Sequence, residues 1–199
     1  MNRILLIVAL IGTLSACEVP GKDPDKISMT DENGNEVSID KEFVNNRAAI
    51  MKELEEKADK LKSLTPISLE EAKALLPTTL GGIAITDEDL DSGNGIVKAS
   101  SEYKSGTKEI ELEIYDCTGE QGRKVFLSQL KTMANFATEN ENSYTKTIDL
   151  NGKKAIEEMD KIENEMKLRY FEKDRFLVML EAKGITAEEL RQIAGEIKF

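Results

Sequence analysis

The sequence predicts an α+β fold, with an antiparallel sheet of about five or six strands and helices packed on one face of it. Three observations lead to this prediction. Apolar and charged residues alternate along several short segments, as they do in half-buried strands. Asn-Gly pairs mark tight turns. Two capping boxes, Ser or Thr followed three residues later by Glu, mark the starts of helices.

The strand pattern is clearest in the middle of the chain. Three apolar residues alternate there with three glutamates, Glu109, Glu111 and Glu113. Residues 97–103 alternate in the same way before a Ser-Gly turn. The two segments therefore predict an antiparallel pair with one face in the core and one face in water.

The C-terminal third of the chain predicts further strands. Residues 144–150 alternate between the two faces of a strand and lead into a turn at Asn151-Gly152. Residues 153–161 suit either a strand or a helix, and the turn before them favours the strand. Residues 166–170 alternate again. Residues 176–180 are nearly all apolar, which is typical of a strand buried on both faces.

Helices are predicted at four places. Residues 41–64 carry an amphipathic stripe, and Arg47 within it favours packing on the same chain over a coiled-coil dimer. Residues 119–136 repeat apolar positions at helical spacing. The capping boxes at Ser68 and Thr186 start two shorter helices.

The N-terminal residues have the order of an export signal. Arg3 supplies a positive end, and the apolar run that follows it is well short of the ~18–20 residues that span a bilayer. The run then ends in Leu14-Ser15-Ala16-Cys17, which resembles the lipobox of bacterial lipoproteins. The resemblance implies that a signal peptide, residues 1–16, is cleaved off and that diacylglycerol is attached to the Cys17 sulfur.

The same resemblance implies where the protein is held. Acyl chains on Cys17 anchor the chain to a membrane of the cell envelope, and several chains hold it far more firmly than one. In enteric-type bacteria, an Asp directly after the lipidated Cys tends to retain a lipoprotein at the inner membrane. Here that residue is Glu18, so we expect the protein at the outer membrane. Residues 17–40 then form a lipidated tether with a possible hairpin around Asn33-Gly34, and residues 66–199 form the globular α+β domain.

Composition excludes several kinds of function. The net charge is −11, so the chain offers a polyanion few cations, and no nucleic-acid partner is expected. Histidine is absent, which excludes Ser-His-Asp and Cys-His catalysis and His-ligated zinc. Once Cys17 is lipidated, Cys117 is the one remaining cysteine. Its place at the end of an apolar strand predicts a buried thiol rather than a reactive one.

Two acidic segments resemble calcium-binding loops and fail the same test. An EF-hand loop needs glycine at its sixth position, where the first segment has Glu36 and the second has Ser92. The second segment, residues 87–91, therefore predicts a solvated loop. The residues of the first segment that have the right spacing are Asp31, Asn33, Asn35 and Glu42.

The remaining candidate site is the strand face with Glu109, Glu111 and Glu113. Such carboxylates could transfer protons or hold a cation, and Lys167 and Arg169 of a later strand could lie opposite them. Cross-strand ion pairs on a solvated sheet face explain the same residues more simply. The sequence therefore predicts no catalytic, metal-binding or cofactor-binding residue.

The order of elements in the C-terminal half resembles small envelope domains of the PsbP-like type and uncharacterised bacterial lipoprotein domains. This resemblance assigns no functional residue. The favoured hypothesis is a non-catalytic module, anchored to a membrane, that contacts another envelope protein. The alternatives are a carrier that holds a lipid or other apolar ligand between sheet and helix, and a hydrolase that uses carboxylates.

Overall fold

A computed structural model describes residues 24–31, 34–132 and 136–199; the predicted signal peptide, Cys17 and the start of the predicted tether lie outside this part of the chain. The strands are β1 (Lys26–Thr30), β2 (Glu36–Asp40), β3 (Thr79–Leu80), β4 (Ile83–Asp91), β5 (Val97–Ser105), β6 (Lys108–Asp116), β7 (Phe136–Glu139), β8 (Ser143–Leu150), β9 (Lys153–Asp160), β10 (Glu165–Glu172) and β11 (Phe176–Lys183). The α-helices of the described residues are α1 (Lys41–Lys62), α2 (Leu69–Lys73), α3 (Gly119–Thr132) and α4 (Ala187–Ala194).

One sheet of 11 strands contains all these strands, in the order β1-β2-β7-β8-β9-β10-β11-β6-β5-β4-β3. Every neighbouring pair is antiparallel. The prediction of about five or six strands with helices on one face is therefore wrong. The sheet is larger because β1 and β2 join it through β7, and because β3 and β4 extend its opposite edge.

Helices cover both faces of the sheet. Consecutive residues of a strand point to opposite faces, so Leu177 and Val178 of β11 belong to different faces. Val178 packs in a large cluster with α2 and α4, whereas Leu177 packs in a smaller cluster with α1 and α3. We call the face of Val178 the core face. Away from the smaller cluster, the face of Leu177 carries charged side chains, so we call it the charged face.

Three strands were missed because their sequences do not look like strands. Residues 87–91 were expected to form a solvated loop, but they belong to β4. Because β3 pairs only with Ile83 and Ala84, the rest of β4 forms an edge of the described sheet, and most of its residues are exposed. An edge position tolerates acidic residues, because one side of the strand faces water. The helix expected over 119–136 is present as α3, and β7 lies in the segment after it, for which the sequence predicted no element; its pairing with β2 and β8 decides its conformation. β3 has two residues, too few for a visible pattern.

Other predictions are confirmed. β1 and β2 form the expected hairpin, in which Met29 lies opposite Val37. Residues 153–160 form a strand rather than a helix. Both capping boxes are present, because Ser68 accepts a hydrogen bond from the Glu71 amide and Thr186 accepts one from the Glu189 amide.

A buried carboxylate lies where the middle of the sheet meets the N-terminal helices. Asp116 ends β6 with its side chain fully buried, and Arg175 donates to both of its oxygens, over 2.9 Å and 2.8 Å. The second oxygen also accepts hydrogen bonds from the Ile67 amide and the Thr118 hydroxyl. Arg175 in turn donates to the Thr65 carbonyl. The Asp116 side chain therefore ties the start of β11 and the link between α1 and α2 to the end of β6.

Replacement of Asp116 by Asn tests this role. The change leaves Arg175 without its partner charge, and loss of one member of a buried pair costs roughly 3 kcal/mol. We expect the free energy of unfolding, measured by urea titration, to fall by about that amount. Asp174→Asn is the control, since the Asp174 side chain is 71% exposed and its change costs at most about 0.5 kcal/mol. Equal losses in the two variants would contradict the role of Asp116.

Candidate functional site

The charged face brings together the residues that the sequence singled out. Glu109, Glu111 and Glu113 do share one side of β6. Lys167 and Arg169 lie on the same face, but β11 stands between their strand and β6. They therefore do not lie directly opposite the glutamates, as the sequence suggested.

Four carboxylates form a row across neighbouring strands on this face. Glu111 lies opposite Glu102 on one side and opposite Glu181 on the other, and Glu102 lies opposite Asp87. We call Asp87, Glu102, Glu111 and Glu181 the acidic row. Neighbouring strands are ~4.8 Å apart, so the row extends over ~14 Å. Like charges directly opposite each other destabilise a sheet, so the row lowers the stability of the fold.

Cations pair with two members of the row, Glu181 and Glu102, which flank Glu111. Lys167 lies 2.7 Å from Glu181, and Lys104 lies 2.6 Å from Glu102. Glu113, one step along β6, accepts hydrogen bonds from Lys98 over 3.1 Å and from the Tyr115 hydroxyl over 2.9 Å.

Glu111, in the middle of the row, differs from these glutamates. Its carboxylate has neither a hydrogen bond nor an ion pair within the part of the chain that the structure describes. Partial burial raises the pKa of its carboxyl group above the usual value, and the charges of Glu113, Glu181 and Glu102 raise that pKa further. The charge of Lys98 offsets only a small part of this effect. A cation placed beside Glu111 would relieve this repulsion.

A shallow pocket of about 210 Å³ opens beside the row. Glu111 and Glu181 line one side of it, and Arg169 lines the other. Arg169 forms an ion pair with Glu158 and a hydrogen bond of 3.3 Å to the Gln129 side chain of α3. Its Nε atom is buried and has no hydrogen-bond partner among the described residues. The pocket therefore lies at the boundary between the open part of the charged face and the part that α3 covers.

The arrangement is suited to the electrostatic binding of cationic groups. The acidic row gives a line of negative potential, and the sheet below it supplies a low-dielectric wall that strengthens the field. Across residues 24–31, 34–132 and 136–199, no group of three acidic or cysteine side chains has the geometry to hold a metal ion. The row spreads its carboxylates along a line instead of pointing them at one atom.

Two other expectations concern side chains with structural roles. Asp31 accepts hydrogen bonds from the backbone amide and the side-chain amide of Asn35, so it closes the β1–β2 turn; Asn33 lies outside the described residues. Cys117 is fully buried, as expected, and burial raises the pKa of its thiol to about 12. A thiol with that pKa is not a nucleophile near neutral pH.

The sequence contained a signal for the residues of the row that were missed. Asp87, Asp89 and Asp91 occupy every second position, which is the period of a strand. However, acidic residues have a low strand propensity, so the segment was predicted to be a loop. Glu102 and Glu181 lie in strands that were predicted, but no local pattern indicates which strands become neighbours.

No helix of the described residues has both the length and the hydropathy needed to cross a membrane. Comparisons with protein-family models, curated proteins and solved structures gave no match.

Replacement of Glu111 by Gln tests the electrostatics of the row. The raised pKa of Glu111 means that its charged form destabilises the fold, so the penalty is present at pH 7 and disappears as the pH falls below about 4. We expect Glu111→Gln to stabilise the protein at pH 7 by only a few tenths of a kcal/mol, because solvent screens the site, and to have no effect below about pH 4.

Thermal unfolding measures this difference. The control is Glu109→Gln on the same strand face, since Glu109 lies 2.9 Å from Lys104 and its replacement removes an attraction. A melting temperature that falls in Glu111→Gln at pH 7 would show that Glu111 is not under repulsion.

Proposed function

We propose that this chain is a lipid-anchored module of a bacterial cell envelope that binds another protein, without catalysis, through its acidic row. The lipobox residues that end in Cys17 support the anchor. The observation that carries the binding role is the unpaired Glu111 between Glu102 and Glu181. Violations of local rules tend to lie at functional sites, and here a row of like charges is kept at a cost in stability.

The partner proposed for this surface is a protein segment rich in Lys or Arg. The row is ~14 Å long, enough for about four residues of an extended chain to lie along it. α1 and α3 pack over Leu177 and Phe171, at the other end of the same face, so these two helices leave the row open to a second molecule. Charge complementarity of this kind gives fast association and a strong dependence on salt.

The carrier hypothesis is less well supported by the geometry. It requires room for an apolar ligand between the sheet and a helix. Side chains fill that position on both faces: Leu180 and Leu190 are 1% exposed between the sheet and α4, and Phe126 is 1% exposed between the sheet and α3. Two surface pockets of the described residues are lined mostly by charged and polar residues.

The location proposed for the module is the outer membrane, because Glu18 follows Cys17. The anchor is tested with a fatty-acid probe in cells that express the chain. We expect the unaltered protein to take up the probe and to fractionate with membranes, and Cys17→Ser to take up none. Cys117→Ser is the matched control and should be labelled normally, because its thiol is buried. Equal labelling of all three proteins, or of none, would refute the anchor.

The binding role is tested by crosslinking in cells. A photoreactive benzophenone side chain placed at Asp89, an exposed position of β4 on the same face, should give a discrete crosslinked product with a neighbouring protein. Charge reversal in the row, Glu102→Lys with Glu111→Lys, should lower the yield at least about tenfold. High salt applied to isolated envelopes should do the same, because exposed charges are screened.

The matched control is Glu53→Lys with Glu56→Lys on α1, where both side chains are more than 60% exposed. It makes the same change in net charge away from the row and should leave the yield unaltered. A product that persists equally in both double variants, or that does not depend on salt, would show that the row does not bind the partner.

A further inference from the structure

The sheet has an open strand edge at β4. β3 and the residue before it cover only the start of that edge, and their last bond there is the 3.0 Å hydrogen bond from the Ile85 amide to the Thr78 carbonyl. Beyond this bond, no strand of the described residues pairs with the outer side of β4. Residues 86–91 therefore present an edge ~20 Å long.

The chain before β3 leaves this edge because it turns towards the core. Pro77 has no amide hydrogen to donate, and its carbonyl accepts a hydrogen bond of 2.7 Å from the Tyr103 hydroxyl. Tyr103 is fully buried in the large core cluster, so this bond holds the chain on the core side of the sheet. The position beside residues 86–91 is thus not filled by a continuation of β3.

The backbone of this edge offers donors that point away from the sheet. The Ile85 amide points outward, to the Thr78 carbonyl. Glu88 and Leu90 lie opposite β5 residues at even spacing from the partner of Ile85, so their amides point outward too. The Glu88 amide donates to the adjacent Asp87 carboxylate over 3.0 Å, a local bond that a neighbouring strand can replace. An extended segment placed here would therefore add a strand to the sheet.

The charged-face side of the edge is acidic. Asp87, Asp89 and Asp91 occupy it at every second residue. Lys98 lies opposite Asp91 and offsets part of this charge, but its ammonium group donates to Glu113 over 3.1 Å. The β4 strand of a second copy would place like charges opposite each other, which destabilises a sheet. The edge therefore disfavours a second copy of itself and favours a cationic strand.

The core-face side of the edge makes a different demand. Glu88 forms an ion pair there with Lys73 of α2. Leu90 is half-buried and packs at the rim of the large core cluster. A residue of an added strand that faces this side needs no charge, and an apolar one would cover Leu90. The edge thus fits a segment in which Lys or Arg alternates with uncharged residues.

We infer that a basic segment of the partner adds to the sheet as a strand beside residues 86–91. The inference rests on the proposed function, because Asp87 belongs to the acidic row and lies on β4, so a segment that lies along the row reaches this edge. The cationic side chains of the added strand pair with the three aspartates of the charged face, and its backbone bonds to the outward amides of Glu88 and Leu90.

The test uses a labelled heptapeptide as the probe and the full chain in micelles of an uncharged detergent. The peptide has Lys at its odd positions, Thr or Val between them, and both ends capped. We expect it to bind, as measured by fluorescence anisotropy. Hydrogen exchange followed by NMR should slow at least about tenfold at the Glu88 and Leu90 amides on binding. Exchange at the Asp89 amide, which points to β5, should change little.

Two N-methylated forms of the peptide distinguish an added strand from a charged coil. Methylation of the three residues between the lysines removes the amides that would bond to β4, and should weaken binding at least about tenfold. Methylation of three lysine amides, which point away from β4, keeps the charge and should leave binding unaltered. Equal binding of the two forms would overturn the added strand and leave electrostatic binding at the row in place.

A charge variant tests the pairing with the aspartates. Asp87→Asn with Asp89→Asn should weaken binding of the unmethylated peptide about fivefold, since two cross-strand ion pairs are lost. The matched control, Glu53→Gln with Glu56→Gln, makes the same charge change on α1 and should leave binding unaltered. Equal losses in the two variants, or no binding of the peptide at all, would overturn the inference.

The peptide-free chain supplies one further outcome. Exchange at the outward amides that slows as the protein concentration rises would mean that a second copy occupies the edge, and would also overturn the inference. The proposed function is judged separately, by the crosslinking in cells and its dependence on Glu102 and Glu111.

Discussion

The pairing of β11 with β6 is the constraint on which the rest of the fold depends. β3 to β6 follow one another at one side of the sheet and β7 to β11 at the other, so this one pair joins the two halves. At its end, Asp116 of β6 is buried against Arg175, which precedes β11. A buried carboxylate that is stabilised by several donors is costly to leave unpaired, so the pair holds the register of the junction as well as its position.

That register also produces the acidic row. Because Glu111 lies opposite Glu181 in the junction, glutamates from the two halves of the sheet meet on the charged face. The same register places Leu112 opposite Leu180 on the core face, where both are buried under α4. A shift by one residue would exchange the two faces and bury the carboxylates, so packing of the core enforces a repulsive arrangement on the other side. The row is thus maintained by the hydrophobic core, and its own charges act against it.

Local interactions make several features of this protein predictable from its amino-acid sequence. Apolar residues that alternate with Glu109, Glu111 and Glu113 identify a half-buried strand. The capping boxes identify the helix starts at Ser68 and Thr186. Both features depend only on residues that are near each other along the chain. Strand partners are contacts between distant residues. The conformation of β7, the extent of the sheet and the meeting of Glu102, Glu111 and Glu181 were therefore decided only by tertiary pairing, which no local pattern encodes.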